Sequence, residues 1–248
     1  MQKFALRITA ISIFIIGLFT TIHTSFAQMT VSEEEKAVFA YLRLTDQEPD
    51  YDAWIKNTEK YQDARTQRRK QILEEEKERL DWGFGTYNAR ESLITIKAKI
   101  RLSTTVKEDG RRMLYTRFDD ERHNETPYFP FKYGKDSIAF IIQDLETYRA
   151  IELEPEEIPK IKEYFYDSAP YEAEMEMRIR PLSADSNEKL FVDYKDQWLM
   201  LGDIAYLRIN YYDEFKLEDM NVWDYNAPWY LDESQKALLD MFKEPETE

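Results

Sequence analysis

Acidic side chains, a lone histidine and a run of aromatic rings are the residues of this chain whose spacing could do chemistry. Asp119-Asp120-Glu121-Arg122-His123-Asn124-Glu125 gathers five acid or imidazole side chains in seven positions. Such a group could hold a divalent cation, or pass a proton between a carboxylate pair and His123. No ligand spacing is defined there, so the preferred reading is a solvated loop after a strand. Asp46-x-Glu48-x-Asp50-x-Asp52 alternates four acids in the manner of a calcium loop. An EF-hand loop demands Gly at its sixth position and Glu at its twelfth, where Tyr51 and Asn57 stand. The expectation is an acidic linker whose last acids cap the next helix. Ser186-Asn187-Glu188-Lys189 fits the S-x-x-K pattern, but its Lys-Thr-Gly partner is absent and the segment reads as a polar turn, so a serine nucleophile is rejected. Asn124-Glu125-Thr126 fits the glycosylation sequon and is set aside because Pro127 follows it.

Trp223, Tyr225, Trp229 and Tyr230 crowd the C-terminal segment, with Asp224 and Asn226 between them. Rings beside carboxylates and amides can stack on sugar rings while the acids accept hydroxyl hydrogens. These four are the candidate ligand-binding residues. The competing reading is that they dock the C-terminal segment onto a sheet, the commoner use of large aromatics.

Several chemistries are excluded by composition. The chain has no cysteine, so thiol nucleophiles, redox pairs, thiolate metal sites and disulfides are absent together. Of its two histidines, His23 falls in the leader described below, leaving His123 to serve any triad. Multi-histidine zinc or iron sites cannot be built. Five glycines outside the leader assemble no phosphate loop or dinucleotide fingerprint, and no cofactor is expected.

The elements that must position these residues change period along the chain. Ser32 followed by Glu35 is a capping box, and Ala37, Val38, Tyr41, Leu42 and Leu44 at helical spacing predict a helix ending near Thr45. A second helix is expected from Asp50 or Asp52 as far as Leu80, supported by Gln71–Glu75 and Glu75–Arg79 pairs and ended by Trp82-Gly83-Phe84-Gly85. Strict alternation from Leu93 to Leu102 predicts a half-buried strand, which Asp109-Gly110 returns through Met113 to Phe118. Pro127, Pro130 and Gly134 mark a loop, and Ile138–Ile142 and Tyr148–Leu153 read as short strands. A helix is expected from Glu156 to Tyr166. Tyr171–Arg180 alternates again, with Ala184–Asn187 as a turn before strands near Leu190–Tyr194, Trp198–Leu201 and Ile204–Tyr211, and Gly202 as a bend. Lys97, Lys99 and Arg101 on one strand, and Glu172, Glu174 and Glu176 on the other, suggest that these two are neighbours.

The N-terminus reads as an export signal. Lys3 and Arg7 precede a 12-residue apolar core from Ile8 to Phe19, short of the ~20 residues that span a bilayer. Ser25-Phe26-Ala27 is small at both ends, so cleavage is expected between Ala27 and Gln28. No cysteine follows the core, which excludes a lipoprotein. Loss of Lys3 and Arg7 takes the formal charge from −15 to −17. That field disfavours nucleic acid and anionic membranes and favours a basic or cationic partner.

The expected organisation is a signal peptide (1–27), an N-terminal helical segment (28–90), an antiparallel β-rich domain (91–244) and a disordered tail (245–248). The fold class is α+β: a helical arm, then a mainly antiparallel sheet that could curl into a sandwich or partial barrel, with one packed helix. The function expected is that of an exported, soluble, acidic protein of the bacterial envelope, periplasmic or secreted, without membrane insertion after cleavage. It would be a non-enzymatic binding or accessory protein for a basic protein or a polysaccharide. The alternative is a carboxylate-dependent hydrolase acting on an extracytoplasmic polymer.

Overall fold

A computed structural model describes residues 30–120, 128–159, 161, 171–213, 218–232 and 235. The leader, His123 with Glu121 and Glu125, most of the helix expected after Glu156, and the tail lie outside the described residues. Val31–Glu248 forms one compact unit.

Helix α1 (Glu33–Leu44) begins as its residues dictate. Ser32 Oγ accepts from Glu35 N at 3.2 Å, Ser32 N donates to Glu35 Oε2 at 2.9 Å, and the helix ends at Thr45. Its spacing suggests one apolar face, yet Ala37 to Leu42 are six consecutive buried residues. The helix is enclosed: Tyr41 meets Trp198 of the sheet at 6.2 Å, while Phe39 meets Phe84 at 5.6 Å on the opposite side. The helical segment is therefore packed onto the sheet instead of projecting as an arm.

One long helix was expected next; three shorter ones stand there, α2 (Tyr51–Lys56), α3 (Glu59–Gln62) and α4 (Thr66–Thr86). Short polar side chains divide them by bonding to backbone that a continuous helix would use. Asp50 caps α2 through Ala53 N, Asn57 Nδ2 turns back to Ala53 O, and Thr58 caps α3 through Tyr61 N. The Gln71–Glu75 bond forms at 2.7 Å, whereas Arg79 bypasses Glu75 for Glu76 and Glu35. Helix α4 also runs through Gly83 and Gly85. At Gly83 a Cβ would lie 3.0 Å from Phe39 Cε2 and 3.1 Å from Val31 Cγ2, so this glycine permits close helix packing instead of ending the helix.

The sheet holds eight strands: β1 (Ile94–Val106), β2 (Arg112–Phe118), β3 (Tyr128–Tyr133), β4 (Asp136–Ile142), β5 (Ala150–Glu152), β6 (Tyr171–Val192), β7 (Lys195–Asp213) and β8 (Glu218–Asn226). Their order is β3-β4-β7-β6-β1-β2-β5, with β8 added on β7. Every pairing is antiparallel except β4 with β7. The architecture is thus α+β with a mostly antiparallel sheet. Among the described residues the sheet stays open and closes into neither a sandwich nor a barrel.

The charge argument for neighbours holds residue by residue: Lys97 opposes Glu176, Lys99 opposes Glu174 and Arg101 opposes Glu172. Pro130 lies in β3, not in a loop, and β3 ends the strand order, an edge position that tolerates a missing N–H. Ala184–Asn187 is no turn. Strand β6 absorbs these residues in bulges near Pro181/Ser183 and Asp185/Lys189, and Asp185 Oδ1 accepts from Asn187 N at 2.7 Å. The hairpin instead turns at Asp193-Tyr194, both at positive φ (52° and 59°). Gly202 interrupts nothing, and β7 is continuous. A Cβ there would meet Phe140 Cε2 at 2.5 Å and Ile179 Cγ2 at 2.6 Å, so two neighbouring strands close over a position that has no room for a side chain.

One edge of β7 is shared. Ile138–Ile142 of β4 occupies Trp198–Gly202 in parallel, then β8 occupies Tyr206–Asp213 in the opposite sense. Between β4 and β5 a 3₁₀ turn (Leu145–Arg149) links the two ends of the sheet: Tyr148 touches Trp223 and Tyr225 of β8, and its carbonyl accepts from Thr116 Oγ1 of β2 at 2.8 Å. A single apolar cluster includes residues of α1, α4, this turn and most of the strands. Among the described residues no helix is long and apolar enough to cross a membrane.

Candidate functional site

Alternation divides the sheet into two unlike faces. Ile96, Ile100, Met175, Met177, Ile179, Leu207 and Ile209 are buried on the inner face. The outer face carries Lys97, Lys99 and Arg101 on β1, Glu172 to Arg180 at even positions on β6, and Tyr206 and Arg208 on β7. Lys97 Nζ bridges Glu174 at 3.1 Å and Glu176 at 3.4 Å, and these two carboxylates hold the amine above the ordinary lysine range.

The four aromatic candidates separate two and two across this sheet. Trp223 opposes Ile209 and Tyr225 opposes Leu207, which puts both on the inner face. There they pack on Tyr148, at 6.1 and 5.2 Å between ring centres, and burial together with the Tyr225 hydroxyl pushes the Tyr148 phenol up. These two do dock the C-terminal strand onto the fold. Trp229 and Tyr230 lie beyond the end of β8. Ala227 N donates to Ala205 O and Tyr230 N to Ala227 O, both at 2.9 Å, folding a tight turn against β7.

That turn meets the outer-face arginines. The Arg180 guanidinium lies 3.6 Å from the Trp229 ring centre, and Arg178 Nη1 donates to Tyr230 Oη at 3.1 Å. Tyr206 stacks at 6.1 Å from Tyr230, with Arg178 and Arg208 over its ring at 5.2 and 5.3 Å. Burial pushes the Tyr206 phenol up against the opposing charges of Arg208 and Arg178, so at neutral pH it is protonated. Trp229 itself stays 39 % exposed. Such a cluster offers a flat apolar ring with fixed donors around it. The sequence placed Arg178 and Arg180 outward by alternation. It gave no sign that the terminal turn folds back onto them, or that Tyr206 and Arg208 join in.

The other candidates are scattered. Asp46 sits at positive φ, Asp50 caps α2, and Asp52 pairs with Lys56 at 3.1 Å and Lys77 at 3.5 Å. Asp119 pairs with Arg101 at 2.9 Å. Among the described residues no three acids or histidines are grouped to hold a metal. Ser186 lies in the bulged part of β6 instead of on a helix, and Lys189 turns to Asp136 at 2.7 Å and to the Trp198 ring at 4.3 Å. A shallow pocket of about 360 Å³ between α1, the α2–α3 junction and the β3–β4 turn is lined by Glu34, Trp54, Asn57, Glu59 and Lys132, among others. Glu34 there accepts from Lys132 N at 3.2 Å. Among the described residues the carboxyl groups whose pKa is displaced, Asp52, Glu76 and Asp109, are all displaced downward, the reverse of what a general acid needs.

No family model matches the sequence, and neither a curated protein nor a solved structure matches it.

Proposed function

We propose that this chain is an exported, soluble, non-enzymatic binding protein of the bacterial envelope, and that its ligand surface is the outer-face cluster around Trp229. The leader directs it out of the cytoplasm and is removed before Gln28. The observation that carries the binding reading is the contrast between the two faces. The inner face is consumed by the core, whereas the outer face ends in an exposed indole held by Arg180 beside Tyr206, Tyr230 and Arg178. Of the partners suggested by composition, a polysaccharide suits this surface better than a basic protein, because the exposed ring is set among arginines and not among free acids. Nucleic acid is disfavoured by the net charge.

The test is retention of the purified mature chain on envelope polysaccharide from the producing cell, with mass spectrometry of its N-terminus. Retention that falls in Trp229→Ala, with a chain beginning at Gln28, is the expected result. A protein starting at Met1, or one that passes unretained, would overturn export or binding respectively. The hydrolase alternative has one supporting feature, the pocket shared by Glu34 and Glu59. Release of reducing ends that disappears in Glu34→Gln or Glu59→Gln would put it first.

A further inference from the structure

We infer that the pocket between α1, the α2–α3 junction and the β3–β4 turn is a second binding site, one that takes a free basic amino acid. It shares no lining residue with the outer-face cluster. Three parts of the fold build it. The β3–β4 turn comes up against α2, since a Cβ at Gly134 would stand 3.8 Å from Ala53 O and 3.9 Å from Trp54 Cα. Glu34, in the first turn of α1, is tied to β3 by accepting from Lys132 N at 3.2 Å. Trp54 is the floor, 8 % exposed and held by Phe39 and Tyr133 at 5.7 and 5.3 Å between ring centres. One carboxylate and the indole are therefore fixed in place by the fold itself, which lowers the cost of binding.

The remaining polar groups of the pocket lack partners. A buried indole N–H ordinarily finds an acceptor. Among the described residues that of Trp54 has none, and neither the Glu59 carboxylate nor the Lys132 ammonium has an ion-pair partner. Lys132 and the two acids line one cavity, yet no ion pair joins them. A space separates the opposite charges, and a molecule carrying both signs fits it.

The class of ligand follows from these groups. Two donors, the Trp54 N–H and Lys132 Nζ, suit one carboxylate, and two acceptors, Glu34 and Glu59, suit two cationic groups. A basic α-amino acid carries that set in its carboxylate, its α-ammonium and its side-chain ammonium or guanidinium. A neutral amino acid would leave Glu34 or Glu59 unmatched. An acidic one would add a charge that the acidic body repels. The volume of about 360 Å³ lies at the small end of the range for ligand sites, roughly 300–1,000 Å³, and suits a single amino acid rather than a stretch of polymer.

The experiment titrates the mature protein by calorimetry with L-lysine, L-arginine, L-alanine, L-glutamate and cadaverine, which is lysine without its carboxylate. Lysine and arginine bind at millimolar concentration, alanine and cadaverine about tenfold more weakly, and glutamate not at all. Glu34→Gln and Glu59→Gln each weaken lysine by about tenfold at unchanged Tm, because both side chains are exposed and a glutamine at 34 still offers an oxygen to Lys132 N. Lys132→Gln weakens lysine by a similar factor and leaves cadaverine as it was. Trp229→Ala changes none of these titrations, so the result stands or falls apart from the outer-face reading. No heat with either basic amino acid would overturn the site. Alanine, glutamate or cadaverine binding as tightly as lysine would overturn the class of ligand. Lysine binding that is unchanged in all three pocket variants would place it elsewhere on the protein and overturn the assignment.

Discussion

A methyl group at Gly202 would lie 2.5 Å from Phe140 Cε2 and 2.6 Å from Ile179 Cγ2, both in the packed interior, whereas at Gly85 it would meet nothing within 4 Å. The same substitution should therefore act in opposite directions. Gly202→Ala is expected to destabilise by about 1–3 kcal/mol through overpacking. Gly85→Ala, inside a helix, is expected to stabilise by up to ~1 kcal/mol. Urea unfolding of the two variants beside the parent checks both, and equal midpoints would contradict the packing argument. At the residue scale the placement of the aromatic side chains was only partly legible. Trp223 and Tyr225 are two apart on a strand, so alternation gives them one face. Whether that face is the core or the surface depends on Tyr148, which arrives from some 75 residues earlier in the chain.

At the scale of elements, the local signals and the structure agree where a single physical rule governs. The Ser32 capping box starts α1, and strict alternation with opposed charges pairs β1 with β6. They part company where neighbours distant in sequence override a local preference. Gly83 and Gly202 look like breaks and are close-packing positions; Ala184–Asn187 looks like a turn and is taken up as bulges because β7 continues alongside. Lys97→Glu tests the pairing. It sets a third acid between Glu174 and Glu176 and should cost about 0.5–1 kcal/mol at low salt, less in high salt, since the parent pair is half exposed. A loss that does not shrink with salt would point to packing instead.

Helices α1 and α4 are joined by a second charged device. Arg79 Nη1 donates to Glu35 at 3.0 Å and Arg79 Nε to Glu76 at 2.9 Å, and Lys60 also donates to Glu76. Burial pushes the Glu76 carboxyl up, but Lys60 and Arg79 outweigh it and hold the group below its ordinary value of 4.5. A carboxyl with a folded pKa below the unfolded one contributes stability above about pH 4.5 and loses it as pH falls through the folded value. Glu76→Gln should thus cost about 1–2 kcal/mol at pH 7, and the gap to the parent should narrow as the pH falls below 4.5 and the parent carboxyl takes up its proton. Thermal melting across that range reads the convergence. A gap that does not narrow as the pH falls would assign Glu76 a packing role.

Across the whole molecule, β6 and β7 form the spine on which everything else is assembled, and they are joined by a two-residue turn. Kinetically, this makes the Asp193-Tyr194 turn one of the cheapest loops to close among the described residues, equal in length to the β3–β4 turn. Zippering outward from it pairs Val192 with Lys195 and eventually Glu174 with Asn210, before partners such as α1, some 140 residues upstream, have been found. Tyr194 holds a left-handed conformation (φ 59°) that glycine adopts freely, and its side chain is 94 % exposed, so it contributes no packing in return. Tyr194→Gly should speed folding about two- to fivefold and leave the unfolding rate almost unchanged, the signature of a turn already formed in the transition state. Stopped-flow refolding in urea measures both limbs. An effect confined to the unfolding limb would move the nucleus elsewhere. A response confined to the folding limb means that the rate at which this chain folds is governed by a turn that takes no part in its core.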